Sequence, residues 1–249
     1  MQIHVHDTPQ ALGRAAGREA AAALREAVAA RGAANYVVAT GASQFDTLAA
    51  LVDDDVPWER ITIFHLDEYA GLDDTHPASF RRYLRERLLE KLPRRPAAFH
   101  GIDASRDAAA ECRRLAALVP AGNFDVATIG IGENGHLAFN DPPADFTTSS
   151  PYIVVRLDEA CRRQQVGEGW FAGLEQVPTE AISMAIRRIL ATARIICSVP
   201  DARKARAVRD SVAGPLTPDC PASILRTHAA CSLHVDLPAA ALLPPSLTG

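Results

Sequence analysis

The stretch IGIGENGHLAFNDPP, residues 129–143, concentrates polar groups that can move protons at the end of a short apolar run. His136 lies in a glycine-flanked turn, with Asn134 before it and Asn140 and Asp141 after it. Amide and carboxylate groups this close in sequence can fix the tautomer of an imidazole. A lone histidine is more often a packed or surface residue, but this set of neighbours favours a directed acid-base group.

A second set of ionisable groups follows the apolar run ITIFHL, where Asp67, Glu68 and Tyr69 come next. A single acid at a strand end is ordinarily a turn former or a helix cap. Two adjacent acids point to opposite faces of a strand, so we expect one of them to enter a crevice. A carboxylate at the edge of an apolar site has a raised pKa, which suits a general base.

Two further loops suit a phosphate group. Thr40, Gly41, Ala42 and Ser43 follow the run NYVVA and offer backbone N–H groups, hydroxyls and a glycine at a predicted helix start. The Gly-Lys-Ser/Thr ending of a Walker loop is missing, and a plain turn with a serine cap is the alternative. Lys204 is one of two lysines among the 26 Lys and Arg residues, and its compact ammonium can contact a phosphate as a point charge. A solvated lysine at a helix start is the alternative there.

The elements that must position these groups alternate between short apolar runs and longer amphipathic stretches, which is typical of βαβ units and a mostly parallel sheet. The predicted strands are QIHVH, NYVVAT, RITIFHL, FDVATIGI, YIVVRL, AISMAI, RIICSVP and CSLHVD. The predicted helices are a long one that starts at Asp7 or Thr8 and ends before Gly32, and shorter ones over 44–52, 77–92, 105–118, 158–171 and 201–212.

All four polar loops leave the carboxyl end of a predicted strand. In an open parallel sheet those ends form the crevice where ligands bind, so we expect the loops to converge on one site. The sequence therefore predicts a single α/β domain over residues 1–249, with a doubly wound, Rossmann-like, mostly parallel sheet flanked by helices. The Pro-rich end is predicted to be a loose tail from about residue 237.

Composition narrows the classes of partner. The 249 residues are 48% hydrophobic with a formal net charge of -4, and no basic block or apolar run of membrane-spanning length is present, so we expect neither nucleic-acid nor membrane binding. The five cysteines form no Cys-x-x-Cys pair and are expected to be reduced thiols. His4 and His6 share one face of a predicted edge strand, and a metal site would need partners that the sequence does not reveal. We expect a cytoplasmic protein with a small soluble ligand. The oligomeric state, monomer or homo-oligomer, is left open by the sequence.

Five segments resemble, in order and spacing, successive motifs of the glucosamine-6-phosphate deaminase family over nearly the whole chain. They are FHLDEYAGLDDTHPASFRRYL, GIGENGHLAFNDPP, the TGAS loop, VPTEAISMAI and PDARKARAV. The related 6-phosphogluconolactonases have Asp-Glu-Arg in place of Asp67-Glu68-Tyr69, and a Gly-His-Thr-Ala-Ser pattern where this chain has Gly-His-Leu-Ala-Phe-Asn. The motifs therefore favour the deaminase branch.

The resemblance implies an amino-sugar phosphate substrate and a reaction that needs no metal or organic cofactor. It implies that glucosamine 6-phosphate undergoes ring opening, proton transfer between C2 and C1, and imine hydrolysis to fructose 6-phosphate and ammonia. By position, Asp67 is the base at C2, His136 acts on the ring oxygen, and Asn134 and Asp141 orient the histidine. The residues expected to bind the substrate and its phosphate are Thr40, Gly41, Ala42, Ser43, Glu68, Gly135, Lys204 and Arg163.

The chain departs from the family pattern in several places. Asn134 replaces a frequent Asp, and Asp141 replaces a Glu and is one methylene shorter, which leaves its reach in question. The phosphate-binding arginine upstream of the VP element has no obvious match, and Arg163 is the candidate. The basic residues that bind an allosteric activator in some members are missing from TTSSPYIVVRL, so no such activation is expected.

Two alternatives to a deaminase are a 6-phosphogluconolactonase-type hydrolase and a non-catalytic, sugar-phosphate-binding regulatory protein. The regulatory reading expects a DNA-binding domain, whereas the chain starts almost at once with the first predicted strand. Asp67 and His136 also favour an enzyme.

Overall fold

The computed structural model describes residues 1–105 and 107–247. Its strands are β1 Gln2–His6, β2 Ala34–Val38, β3 Ile61–His65, β4 Asp67–Tyr69, β5 Ala98–His100, β6 Phe124–Ile129, β7 Tyr152–Arg156, β8 Glu180–Met184, β9 Thr192–Val199 and β10 Cys231–Asp236. A seven-stranded sheet has the order β1-β10-β9-β6-β2-β3-β5, and its neighbouring strands run parallel. The predicted α/β class with a mostly parallel sheet is confirmed.

A second sheet is small and antiparallel, with the order β4-β8-β7. Asp67 pairs with Ser183, and Tyr69 pairs with Ala181. The sequence analysis predicted β7 and β8 as strands but gave them no separate sheet, and it treated the residues of β4 as a loop. Strand β4 was not predicted because two adjacent acidic residues do not resemble a buried strand in sequence. In the structure both carboxylates are buried. The three-residue β5 was also missed, since a run this short carries no periodic signal.

The helices are α1 Pro9–Arg31, α2 Phe45–Val52, α3 Phe80–Arg87, α4 Ala108–Leu118, α5 Glu159–Gly167, α6 Ile186–Leu190, α7 Ala205–Ala213 and α8 Leu237–Ala240. Thr8 caps α1 by accepting the N–H of Ala11 at 3.1 Å, and Gly32 ends the helix with a φ of 78°. Gly13 and Gly17 allow α2 to pack closely, because a Cβ on Gly13 would lie 2.2 Å from Cβ of Asp46.

Several predicted helices are shorter in the structure. The predicted helix over 77–92 is α3 followed by a 3₁₀ turn at Leu89–Lys91, and the one over 158–171 ends at Gly167. The start of the predicted 201–212 helix is a 3₁₀ turn, Ala202–Lys204, that leads into α7. The turn Ala202–Lys204 matters because it carries Arg203 and Lys204 at the carboxyl edge of the sheet.

The core lies on both faces of the large sheet. On one face, α1, α2 and α3 pack over a cluster that includes Tyr36 of β2 and Ile63 of β3. On the other face, α4, α6 and α7 pack over a second cluster that includes Ile195 and Leu233. Coverage on both faces makes the sheet doubly wound and explains why its strands are continuous apolar runs.

The stretch from about residue 237, predicted to be loose, begins as ordered structure. Asp236 accepts the N–H of Ala239 at 2.9 Å and starts α8, and Ala239, Ala240 and Leu243 are buried against the core. Small side chains with a capped first turn therefore fix this part of the tail. Within the described ranges, every helix is too short or too polar to cross a lipid bilayer.

Candidate active site

Loops from the carboxyl ends of β2, β3, β6 and β9 surround one cavity of about 550 Å³. Strands β2 and β6 are neighbours from which the chain winds outward in opposite directions, and such a switch point is where open α/β sheets bind ligands. The walls include Thr40, Gly41, Ala42, Ser43, Asp67, Gly132, His136, Gln164, Gln165, Glu168, Arg203 and Lys204. The predicted convergence of the four loops is therefore observed.

The loop after β2 brings backbone groups to the cavity. Gly41 has a φ of 91°, which favours glycine, and precedes a 3₁₀ turn that leads into α2. Ser43 accepts a hydrogen bond at 3.0 Å from the side-chain amide of Gln44, which also donates to the carbonyl of Ile129 at 3.1 Å. The sequence analysis missed Gln44, whose buried side chain ties this loop to β6.

Lys204 lies at the end of the 3₁₀ turn after β9, with its side chain only 7% exposed. Its Nζ is 3.8 Å from Oε1 of Glu168. Burial lowers the pKa of Lys204, and the carboxylate of Glu168 opposes that change. Arg203, which the sequence analysis did not select, also lines the cavity and contacts Asp201 at 2.8 Å.

Asp236 shapes the turn that carries this lysine. Its carboxylate accepts the N–H of Asp201 at 3.1 Å, and Asp201 has a φ of 91°, an unusual value for a residue with a side chain. Both residues line the cavity. The end of β10 therefore fixes the backbone that presents Lys204.

Asp67 and Glu68 diverge as predicted for neighbours on a strand. Asp67 is 6% exposed and lines the cavity, and burial together with the nearby Glu68 raises its pKa to about 8. Glu68 turns away and accepts hydrogen bonds from the N–H groups of Tyr69 and Arg81 and from the hydroxyl of Ser79. Its assignment as a substrate-binding residue is therefore corrected, because its carboxylate anchors the start of α3.

The carboxyl groups of Asp67 and Glu68 differ in how well the protein stabilises their charged forms. Burial raises the pKa of Glu68 to about 7, and its hydrogen bonds at the start of α3 oppose that rise. We therefore expect Glu68 to ionise before Asp67. The resulting negative charge adds to the burial that keeps the pKa of Asp67 high.

His136 packs its ring on Gly132. A Cβ on Gly132 would lie 2.3 Å from Nε2 of the ring, so glycine is required for this position of the imidazole. Nδ1 lies 3.1 Å from Oδ1 of Asp141, a close contact without the alignment of a straight hydrogen bond. Nε2 is then on the side of the ring away from Asp141. The sequence analysis did not select Gly132.

Asn134 and Asp141 lie behind the ring and hold it in place. Asn134 donates from Nδ2 to Asp141 at 3.1 Å and accepts the backbone N–H of His136 at 3.1 Å. The other oxygen of Asp141 accepts the N–H of Asp158 at 3.1 Å. Burial would raise the pKa of Asp141, but the contacts with His136, Asn134 and Asp158 outweigh it and lower the pKa. The shorter Asp side chain therefore does reach the imidazole.

Residues 7–233 match the model of the family described as glucosamine-6-phosphate isomerases/6-phosphogluconolactonase. The chain belongs to this family. The resemblance drawn from its motifs is thereby confirmed.

Two relatives in the isomerase/lactonase family carry the name glucosamine-6-phosphate deaminase. The protein from Exiguobacterium sibiricum is 37% identical over 206 residues, which is 83% of this chain and 80% of the relative. The protein from Streptococcus pneumoniae serotype 4 is 34% identical over 227 residues, which is 91% of this chain and 95% of the relative.

Solved structures of this family share the fold. A protein described as a monomeric glucosamine-6-phosphate deaminase superposes with a TM-score of 0.89 at 32% identity, covering 97% of this chain and 100% of its own. The 6-phosphogluconolactonase from Trypanosoma brucei superposes with a TM-score of 0.79 at 21% identity, covering 98% of each chain.

Besides Glu68, two of the residues expected to bind the substrate lie outside the cavity. Arg163 is on the exposed side of α5 and pairs with Glu159 one turn earlier, so the structure does not bring it to the phosphate loops. Gly135 lies behind the histidine in the turn, with a φ of 84°. Its role is to allow the turn, and it contributes no cavity wall.

The inner side of α5 supplies cavity residues that the sequence analysis missed. Gln164 and Gln165 line the cavity together with Glu168, which follows the helix. Gln164 donates to Glu168 at 2.7 Å, and Gln165 accepts the hydroxyl hydrogen of Tyr69 at 2.6 Å. The available signal was the spacing of Gln164 and Glu168, four residues apart on one helical face.

Proposed function

We propose that this chain is a glucosamine-6-phosphate deaminase, which converts glucosamine 6-phosphate and water to fructose 6-phosphate and ammonia. The observation that carries the proposal is that a buried carboxylate, Asp67, and an oriented imidazole, His136, share one cavity with the cationic Lys204 and the loop from Thr40 to Ser43. The two relatives with this name, at 34% and 37% identity, support the same activity.

The phosphate group binds first in the proposed reaction. Lys204 provides a positive charge, and the loop from Thr40 to Ser43 provides hydroxyls and backbone N–H groups at the start of a helix. Holding this remote anion supplies binding energy that positions the reacting carbons. Arg203, which also lines the cavity, adds a second positive charge.

His136 then opens the pyranose ring. The imidazolium gives its Nε2 proton to the ring oxygen while the bond from that oxygen to C1 breaks, and the resulting neutral imidazole takes the proton that the C1 hydroxyl loses as the aldehyde forms. Asp141 stabilises the charged imidazole, and Asn134 keeps Asp141 in position. Gly132 fixes the distance of the ring from the substrate.

Asp67 then acts as the base at C2. It removes the C2 proton while O1 takes a proton from the imidazolium of His136, which gives an enol-amine. The same carboxyl then returns a proton to C1, which leaves an imine at C2. Water adds to that imine, and ammonia leaves to give the ketose. A buried carboxylate with a raised pKa suits both steps, because it accepts a proton readily and also gives one back near neutral pH.

Substrate assays test the proposal directly. Purified protein is mixed with glucosamine 6-phosphate, its galacto epimer or 6-phosphogluconolactone, and the release of ammonia, fructose 6-phosphate or acid is followed. We expect ammonia and fructose 6-phosphate from the gluco substrate. Acid release from the lactone without ammonia release would identify a lactonase, and tight sugar-phosphate binding without turnover would identify a regulatory protein.

The proposed location is the cytoplasm. All five cysteines lie within the described residues and are free thiols. Unpaired cysteines are usual in reducing compartments. Fractionation of cells that produce the protein, with a cytoplasmic marker, tests this location.

A further inference from the structure

A cluster of metal-binding side chains lies at the edge of the large sheet, outside the active-site cavity. His4 on β1 is in register with His234 on β10, and their rings stack with centroids 4.8 Å apart. Glu19 on α1 faces both, and its Oε2 lies 2.8 Å from Nε2 of His234. One potential ligand atom from each of the three residues lies within 4.8 Å of the others.

The three donors match the chemistry of a transition-metal ion. Two imidazoles and one carboxylate form a donor set used for Zn²⁺ in proteins. Ligands bound at about 2.0–2.2 Å in a tetrahedron lie roughly 3.4 Å from one another, so small side-chain rotations bring these atoms into range. Such a set leaves one position for water.

Hydrogen bonds from two neighbouring residues orient two of these donors. His6 lies 3.0 Å from Nδ1 of His234, which holds that ring with its Nε2 toward Glu19. The hydroxyl of Ser232 donates to Oε1 of Glu19 at 2.6 Å and leaves Oε2 for the shared site. Hydrogen bonds of this kind orient the ligands at established metal sites.

A surface depression lies against Glu19, one of the three donors. The depression has a volume of about 310 Å³, and its walls include Gln2, Glu19, Arg194 and Ser232. The positive charge of Arg194 is partly offset by Glu26, 3.3 Å away. A hydrated ion can therefore approach the carboxylate from outside.

We propose that His4, Glu19 and His234 bind a divalent transition-metal ion of the Zn²⁺ type, which fastens the edge strand β1 to β10 and α1. The site is separate from the proposed deaminase reaction, for which the family resemblance implies no metal. Its effect is on stability, since an ion bound to the folded state alone shifts the folding equilibrium.

The experiment measures metal binding by the full chain after treatment with a chelator and removal of that chelator. Zn²⁺ is titrated by calorimetry, and thermal unfolding is followed with and without the ion. The variants are His4→Ala and Glu19→Gln. The matched control is Glu26→Gln, which removes a carboxylate from an exposed position two turns further along α1.

We expect the wild-type chain and Glu26→Gln to bind Zn²⁺ and to gain thermal stability from it. His4→Ala and Glu19→Gln should each weaken binding at least about tenfold, because even an outer-shell change costs 10- to 100-fold. Both variants should keep the deaminase activity, which shows that they fold.

A second cluster could take up the same ion, so the experiment includes a spectroscopic arm. His136, Asp141 and Cys161 also lie close enough to share a metal. Co²⁺ at the edge site has no sulfur ligand and gives no thiolate charge-transfer band, whereas Co²⁺ at the second cluster gives one. Loss of all binding in Cys161→Ser with full binding in His4→Ala, or no binding by the wild-type chain, would overturn the proposal.

Discussion

The surroundings of Asp67 disfavour the charged form that the proposed reaction needs. Burial and the charge of Glu68 both disfavour the anion, yet the proposed reaction needs that anion to remove a proton. Such a conflict is common where function outweighs local stability. Two predictions at the residue scale follow from it.

The first concerns catalysis. Asp67→Asn removes the base but keeps the size of the side chain, so we expect kcat to fall about 10²- to 10⁴-fold while sugar-phosphate binding is largely kept. Exchange of the C2 hydrogen in deuterated water should also be lost in this variant. Asp53→Asn, at an exposed residue after α2, is the control and should be unchanged. Retained exchange in Asp67→Asn would mean that another group is the base.

The second concerns stability and pH. Because the folded state holds the Asp67 proton up to about pH 8, whereas the unfolded chain releases it near pH 4, stability falls as the pH rises between these values. Asparagine carries no charge at any pH. We therefore expect the free energy of unfolding of Asp67→Asn to exceed that of the wild type by roughly a few kcal/mol at pH 8 and above. In urea unfolding, a gain that is equal at pH 4 and pH 8 would contradict this assignment.

Gly132 gives a third prediction at the same scale. A methyl group there would overlap the imidazole of His136, so Gly132→Ala should displace the ring. A displacement near 1 Å can cost about 10²-fold in rate, and we expect kcat to fall by that order with a smaller change in KM. Gly122→Ala is the control, because its added methyl meets nothing within 4 Å. Equal kcat values for the two variants would remove Gly132 from the positioning of His136.

The alternation of side chains along a strand and the local sequence pattern account for the site residues that could be predicted from the sequence. The alternation of a strand predicted that only one of Asp67 and Glu68 would enter the cavity, and the glycine-flanked histidine stood out by its neighbours. Gly132 and Gln44 could not be selected, because their importance lies in contacts with residues brought close only by folding. Arg163 was placed by family position, but the rotation of α5 turns it to solvent.

At the element scale, the residue that caps α5 also contacts Asp141, the partner of His136. The carboxylate of Asp158 accepts the N–H of Cys161 at 2.6 Å and starts the helix, and its backbone N–H holds Asp141. A single residue therefore sets both the helix that lines the cavity and the partner of the imidazole. Sequence alone predicted the helix but not this connection, since Asp141 and Asp158 meet across a loop and a strand.

Asp158→Ala tests that connection. Loss of a helix cap costs about 1 kcal/mol of unfolding free energy. The same carboxylate accepts a hydrogen bond from Nδ2 of Asn134 at 3.3 Å, so we expect its loss to disturb the support of His136 and to lower kcat as well. Asp107→Ala is a matched control, since Asp107 caps α4 in the same way by accepting the N–H of Ala110 at 2.8 Å. Asp107 is not among the cavity residues. We expect similar losses in urea stability but a change in kcat only for Asp158→Ala; parallel kcat values would rule the coupling out.

At the scale of the whole molecule, the proposed phosphate site joins loops from strands that are far apart in sequence. The loops after β2 and β9 contact the same proposed anion, so phosphate binding should stabilise the entire sheet. The alternation of strands and helices predicted this convergence. It could not predict that Asp236, at the end of β10, would support the lysine turn, because nothing in the local pattern links Asp201 to Asp236.

Lys204→Ala should raise KM by about 10- to 100-fold, the worth of one charged hydrogen bond of 1.5–3 kcal/mol, with a smaller change in kcat. Inorganic phosphate should raise the Tm of the wild-type protein but not that of the variant. Lys91→Ala provides the control, since Lys91 ends the 3₁₀ turn after α3 and is not a cavity residue. If KM is unchanged in Lys204→Ala, the anion binds elsewhere.

The antiparallel arrangement of β4, β8 and β7 separates two tasks that the cavity combines. The proposed phosphate-binding loops leave strands of the large sheet, whereas Asp67, the proposed base, lies on a strand of the small antiparallel sheet. Changes in that layer can therefore alter the chemistry at the sugar carbons without loosening the hold on its charged end. This modularity offers a physical reason why one architecture accommodates both an isomerase and a lactone hydrolase.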